Sequence, residues 1–250
     1  MHPPENAFTP EAPTPLTLPE RLVALLTAPR RLFSELPFVP HRPSNWIVPL
    51  IILGLTTTLS GAAMLSDASL MHQLSDVMEE TLQTGVDDGT FTQEDVAWQL
   101  KLFGPGSAAF AILWIIGPPA AALATVFALA LFYSLIGRSA MNARAPFMKI
   151  VEVVGLTSLI RALETVATLA CVLMTGSILA TPSAALVLGT FDPASTLYFA
   201  LSRLNPFTFW VLGLTALGLA ELFNRDFPKV AVLIGALWLL WNLMTLLVSF

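Results

Sequence analysis

Residues 206–248 read PFTFWVLGLTALGLAELFNRDFPKVAVLIGALWLLWNLMTLLV: two apolar runs, about Pro206 to Leu222 and about Val230 to Val248, split by a polar turn carrying Arg225 and Lys229. Each run approaches the roughly 20 residues that a helix needs to cross ~30 Å of hydrocarbon. Three more lie upstream, at about Trp46 to Leu65, Ser107 to Ile136 and Phe147 to Met174. The second of these is too long for one straight span and contains Gly117-Pro118-Pro119, which predicts a kinked or tilted helix, because proline lacks an amide and its ring clashes with the preceding turn. The fold class that follows is all-α: a polytopic membrane protein with about five transmembrane helices.

Composition points the same way. With 55% apolar and 12% charged residues, the chain has too few charges to cover the surface of a soluble fold. A net charge of -5 does not suit nucleic-acid binding, which relies on clustered Lys and Arg against phosphates. Cys171 is the single cysteine, so there is neither an intramolecular disulfide nor a cysteine-based zinc cluster.

The chain opens with MHPPENAFTPEAPTPLTLP, which has no apolar core of the kind a signal peptide carries, so the first span is expected to act as an uncleaved anchor. Its prolines predict a disordered tail over residues 1–17. Residues 18–45 begin with LPERLVALLTAPRRLFSEL, which sets Leu22, Leu25, Leu26, Leu32 and Phe33 near one helical face and Arg21, Arg30 and Arg31 elsewhere. That pattern predicts an interfacial amphipathic segment, kinked or divided at Pro29, with Arg21, Arg30, Arg31 and Phe33 as the candidate interfacial contacts; a solvated linker is the plainer alternative. The remainder, 46–250, forms the five-span membrane domain.

Two stretches within that domain are not spans. Residues 66–106 hold eight acids (Asp67, Asp76, Glu79, Glu80, Asp87, Asp88, Glu94 and Asp95) against Lys101, and predict a hydrated excursion with two short helices. The later helix starts at Thr92, whose hydroxyl caps the first turn while Asp95 favours the positive end of the helix dipole. Residues 177–205 are apolar but broken by Pro182, Gly189 and Pro193, and predict an interfacial or re-entrant segment. Asn205-Pro206 reads as the cap and first turn of the fourth span.

Basic residues set the orientation. Arg21, Arg30, Arg31, Arg42, Arg138, Arg144, Lys149, Arg225 and Lys229 fall on one side, and Lys101 and Arg203 on the other. Nine against two predicts a cytoplasmic amino terminus and an outside carboxyl terminus.

These features are similar to those of a known group. The segment APRRLFSEL, the NWIVPL that opens the first span, the PFMKIVEVVG that opens the third, FDPASTLYFALSRLNPFTFW and the small-residue-rich LGLTALGLAEL together resemble a bacterial member of the Yip (Ypt-interacting protein) domain superfamily. The resemblance covers the chain from about residue 20 onward. It implies a five-span, non-enzymatic protein; eukaryotic members are implicated in vesicle traffic and Rab GTPase contacts, and some bacterial members accompany exporters. The implied location is the bacterial inner membrane. The acidic excursion is larger than the family core leads one to expect.

Ionisable residues at membrane depth are the candidates for function, because an unpaired charge in hydrocarbon is costly. Arg161 and Glu164, three apart on the third span, share a face and can neutralise each other. They are either a structural pair or an intramembrane polar site for an ion, lipid headgroup or proton, with Glu152 and Asn242 as additions. His72 and Asp76, with Glu79 and Glu80 nearby, are ligand types for a divalent metal, but their spacing fits a solvated acidic face better. No phosphate loop, H-E-x-x-H or G-x-S-x-G is present, so an enzyme is unsupported and no catalytic residue, metal or cofactor is expected. Two functions remain. One is a membrane scaffold or accessory subunit that engages other membrane proteins, associates with itself or shapes the bilayer. The other is a permease or exporter component moving a small solute past Arg161 and Glu164.

Overall fold

A computed structural model describes residues 16–191 and 195–249. All regular structure among them is helical: α1 (Leu18–Thr27), α2 (Pro29–Glu35), α3 (Ser44–Leu65), α4 (Ala68–Asp87), α5 (Gln93–Phe103), α6 (Ala108–Ala140), α7 (Phe147–Thr175), α8 (Thr196–Ser202), α9 (Pro206–Phe223) and α10 (Phe227–Ser249), with a 3₁₀ turn at Ala184–Leu188. Five of these helices, α3, α6, α7, α9 and α10, are long and apolar enough to cross a membrane. Most of the tail, residues 1–15, lies outside the described residues.

The central helix is α7, which packs on α3, α6 and α9, while α10 leans chiefly on α9. Small residues set the closest approaches. A Cβ on Gly155 of α7 would lie 2.2 Å from the Trp46 Cβ and 2.6 Å from its Cα, so the two backbones almost touch. On α3, the Gly54, Thr58 and Gly61 stripe faces α6, where a Cβ on Gly54 would sit 3.4 Å from the Pro119 ring. Helix α6 runs without a break through Pro118 and Pro119. Pro119 has no amide for the Ile115 carbonyl one turn back. The Thr58 hydroxyl of α3 donates to that carbonyl at 3.4 Å, so the proline pair marks a helix contact.

Helices α1 and α2 divide at Ala28-Pro29, where the proline removes an amide and opens the new helix at its tolerated first position. They lie against the bundle itself: α2 packs on α9 and α1 reaches α7. Leu25, Leu32, Phe33 and Leu36 are almost wholly buried. Phe33 occupies a socket left by Gly218 of α9, where an added Cβ would come within 2.9 Å of its ring and 2.6 Å of Val153.

At the other end, α4 is capped by Asp67, whose carboxylate accepts from the Ser69 and Leu70 amides at 2.8 and 3.2 Å. Gln73 then holds α4 to the end of α7, donating to the Gly176 carbonyl at 2.7 Å and accepting from the Ile178 amide at 3.2 Å. At the start of α5, Thr92 and Asp95 bond reciprocally: the Thr92 hydroxyl accepts from the Asp95 amide, and the Asp95 carboxylate accepts from the Thr92 amide and hydroxyl. These bonds hold the Asp95 carboxyl below its ordinary pKa. The stabilisation that the Asp95 carboxylate adds to the cap is therefore present above the ordinary carboxylate range and is lost as pH falls through the depressed value, while the bond from the Asp95 amide to the Thr92 hydroxyl does not titrate.

Helices α7 and α9 differ in length in a way that matters for the site. Asn205, at the start of α9, bonds Glu164 on α7, yet α7 continues to Thr175. Eleven residues at 1.5 Å each put the end of α7 about 16 Å beyond the level at which α9 begins. The connection from Gly176 to Asn205 comes back through that distance. It is held by the Tyr198 hydroxyl donating to the Leu179 carbonyl at 2.7 Å and the Ala184 amide donating to the Leu204 carbonyl at 3.0 Å.

Candidate functional site

Two polar centres lie along α7. The first is built on Glu152, on the first turns of the helix and wholly buried. Helical spacing brings Lys149 onto the same face, and its ammonium lies 3.1 Å from Oε2. The start of α3 supplies the other partners: the Asn45 side-chain amide donates to Oε2 at 3.3 Å, and the Arg42 backbone amide donates to Oε1. His41 Nδ1 lies 2.6 Å from Oε1 without the alignment of a hydrogen bond, so the contact is ionic when the imidazole is protonated. A carboxylate taken out of water is stable only when its lone pairs are met. Here an ammonium and two amides meet them, and the result pins the linker before α3 to α7.

Arg21 lies beside this centre. It is 1% exposed, and its Nε donates to the Leu16 carbonyl at 2.9 Å. Its Nη1 and Nη2 are buried with no hydrogen-bond partner among the described residues. Burial, and after it the charge of Arg42, push the Arg21 pKa down, while Glu152 and Glu35 oppose the shift. Arginine's intrinsic pKa is high enough that the guanidinium stays charged.

The second centre is the pair Arg161 and Glu164, with Nη1 2.8 Å from Oε2. Its third member is Asn205, 7% exposed, which does two things at once. Its Oδ1 accepts from the Phe207 amide at 2.9 Å, capping α9, while its Nδ2 donates to Glu164 Oε1 at 2.6 Å. Neither Glu152 nor Asn242 joins this pair. Glu152 is twelve residues away on α7, about 18 Å along the axis, and the Asn242 side chain donates to the Trp238 carbonyl of its own helix at 2.7 Å.

Glu164 carries both bonds and is the more enclosed partner, with 18% side-chain exposure against 44% for Arg161. Glu164→Leu should therefore cost about 1–3 kcal/mol, because it leaves the buried Asn205 amide without an acceptor. Arg161→Leu should cost less, since the Asn205 bond survives. Thermal unfolding of the two variants in mild detergent measures the order, and equal losses would remove Asn205 from the account.

The four residues of the amino-terminal segment divide. Arg30 and Arg31 are exposed, and Arg31 reaches Glu35 at 3.6 Å. Arg21 and Phe33, the other two, are buried. An apolar helical stripe satisfies a protein interior as well as a bilayer, and the Gly218 socket took Phe33. Among the described residues, no three His, Cys, Asp or Glu side chains converge on a point where a metal could bind.

Sequence reasoning missed His41, Asn45 and the role of Lys149. A local signal existed for one of them: Lys149 and Glu152 have the same basic-then-acidic spacing of three as Arg161 and Glu164. Against known proteins, the family model of the Yip1 domain matches residues 23–250. Neither a curated protein nor a solved structure matches the chain.

Proposed function

Because this chain belongs to the Yip1 domain family of multi-pass membrane proteins, we propose that it is a non-enzymatic scaffold or accessory subunit that engages other membrane proteins or a second copy of itself. The supporting observation is that the polar groups of α7 are turned onto their own structure. Glu164 is taken by Arg161 and Asn205. The hydroxyls of Thr157, Ser158, Thr165 and Thr168 donate to carbonyls of α7 itself. A permease needs polar groups turned toward a path for a solute, whereas here the hydroxyl protons and the Glu164 carboxylate are engaged within the protein itself. The surface left for a partner is apolar: Val232, Leu240, Trp241 and Met244 of α10 are all more than half exposed. Photo-crosslinking from position 241 in native membranes tests the reading. Adducts with a protein, either another chain or a second copy, are the expected result, and adducts with lipid alone would overturn it.

The proposed setting is a bacterial inner membrane, with the amino terminus cytoplasmic, the carboxyl terminus outside, and residues 177–205 re-entrant. Arginine and lysine cluster at the end of the bundle where α3 and α7 begin, which is the end retained inside. In a Cys171→Ser background, an impermeant thiol reagent on intact cells should modify a cysteine at Asp88 and spare one at Ser139. The reverse pattern would invert the topology.

A further inference from the structure

A buried arginine with idle donors demands a counter-charge. Arg21 is 1% exposed, and among the described residues its Nε alone is bonded, with no acceptor there for Nη1 or Nη2. An ion left unpaired in a low-dielectric interior is destabilising by several kcal/mol. The carboxylates around it are already committed: Glu152 to Lys149, Asn45 and the Arg42 amide, and Glu35 to Arg31 and the Leu16 amide. Among the charges that act on it, Arg42 acts most strongly, and being of the same sign it repels rather than pairs. Arg42 is part-exposed, and its guanidinium makes no hydrogen bond or ion pair with any described residue. Two neighbouring guanidinium groups with open donors, one buried and one at the rim, make a receptor for an oxyanion, since each planar fork can grip two oxygens of a phosphate.

We propose that Arg21 and Arg42 bind a phosphate group at the end of the bundle where α1 meets the start of α3. The group is carried either by an anionic phospholipid or by a soluble phosphate. A phospholipid is at hand there, because the apolar span of α3 begins two residues after Arg42, and headgroup phosphates lie at the edge of the hydrocarbon. The site is independent of the scaffold reading, since it needs no protein partner.

The test uses the full chain, delipidated in a neutral detergent, with thermal unfolding as the readout. The probes are phosphatidylglycerol, phosphatidylcholine and inorganic phosphate, the last matched for ionic strength with chloride. Phosphatidylglycerol should stabilise the parent protein, and phosphatidylcholine, whose phosphate carries a choline cation that two guanidinium groups repel, should not; equal stabilisation by both would overturn the proposal. The same response to inorganic phosphate assigns recognition to the phosphate group itself, and silence there assigns it to the lipid. Arg42→Gln, at the part-exposed rim and so expected to fold, should weaken the apparent affinity about fivefold, the usual contribution of one cation near an anionic surface. Arg21→Met should abolish the response and, without any anion, unfold no lower than the parent, because it removes the uncompensated charge. Arg30→Gln with Arg31→Gln should leave the response intact. The proposal is overturned by a parent that responds to no anion, by a response that survives both Arg21→Met and Arg42→Gln, or by one lost equally in the Arg30 and Arg31 variant.

Discussion

Replacing Glu152 by alanine should destabilise the folded bundle by about 3–5 kcal/mol, the usual result of removing one member of a buried ion pair. The carboxylate is wholly buried, and its loss orphans three donors at once: the Lys149 ammonium, whose side chain is 9% exposed, the Asn45 side-chain amide and the Arg42 backbone amide. The effect should reach beyond α7. Asn45 and Arg42 stand at the entry to α3, and the chain before them carries α1 and α2, so the linker should loosen along with the helix. Hydrogen exchange over residues 37–45 should rise together with the drop in unfolding temperature. Glu152→Met combined with Lys149→Met should recover much of the loss, because the lysine's charge goes with its partner and the other donors left at the site are amides. An unchanged unfolding temperature in Glu152→Ala would mean that the centre is hydrated and open, against its complete burial.

The second large effect is expected at Gly155. A methyl there would overlap the Trp46 Cβ and Cα, and a backbone atom cannot turn aside as a side chain can. Helices α3 and α7 form the largest contact in the bundle, and they would have to separate along it. Overpacking of a tight core costs about 1–3 kcal/mol and sometimes more, and Gly155→Ala should fall at or above the top of that range. Gly213→Ala and Gly235→Ala give the contrast. Nothing lies within 4 Å of a Cβ at either position, so the better helix propensity of alanine should leave those variants as stable as the parent or better by up to about 1 kcal/mol. Thermal unfolding of the three variants side by side decides the matter. A neutral Gly155→Ala would mean that α3 and α7 sit farther apart than described.

How far the sequence could be read depended on the range of the interaction. The five spans were legible because hydrocarbon imposes a length and an apolar composition on each one separately, and observed helices such as Phe147–Thr175 and Pro206–Phe223 differ by only a residue from the apolar runs. Local chemistry was legible too: Asn205 caps α9, Thr92 opens α5, and Arg161 meets Glu164 three residues on. What stayed hidden was long-range. Glu152 finds Asn45 and Arg42 across 107 and 110 residues, and no periodicity announces that meeting. The bond from Thr58 to the carbonyl freed by Pro119 is of the same kind. In α1 and α2 the pattern is amphipathic, but a stripe such as Leu25, Leu32 and Phe33 does not say whether lipid or protein covers it. Gly218, nearly 200 residues away, decided that. Asn205 was recognised as a cap, while its second bond, to Glu164, required knowing that α9 starts well short of the end of α7.

That second bond also sharpens the choice between scaffold and conduit. Removing Arg161 and Glu164 together leaves no unpaired charge, yet it strands the Asn205 amide; Asn205→Ser keeps a capping oxygen and deletes that donor. The most direct measurement is therefore photo-crosslinking from position 241 in the triple variant Arg161→Leu, Glu164→Leu, Asn205→Ser, alongside its unfolding temperature. The account predicts a protein about as stable as the parent that captures the same partners with the same yield. A triple variant that folds as the parent does but has lost those partners would contradict it and make the pair a working site.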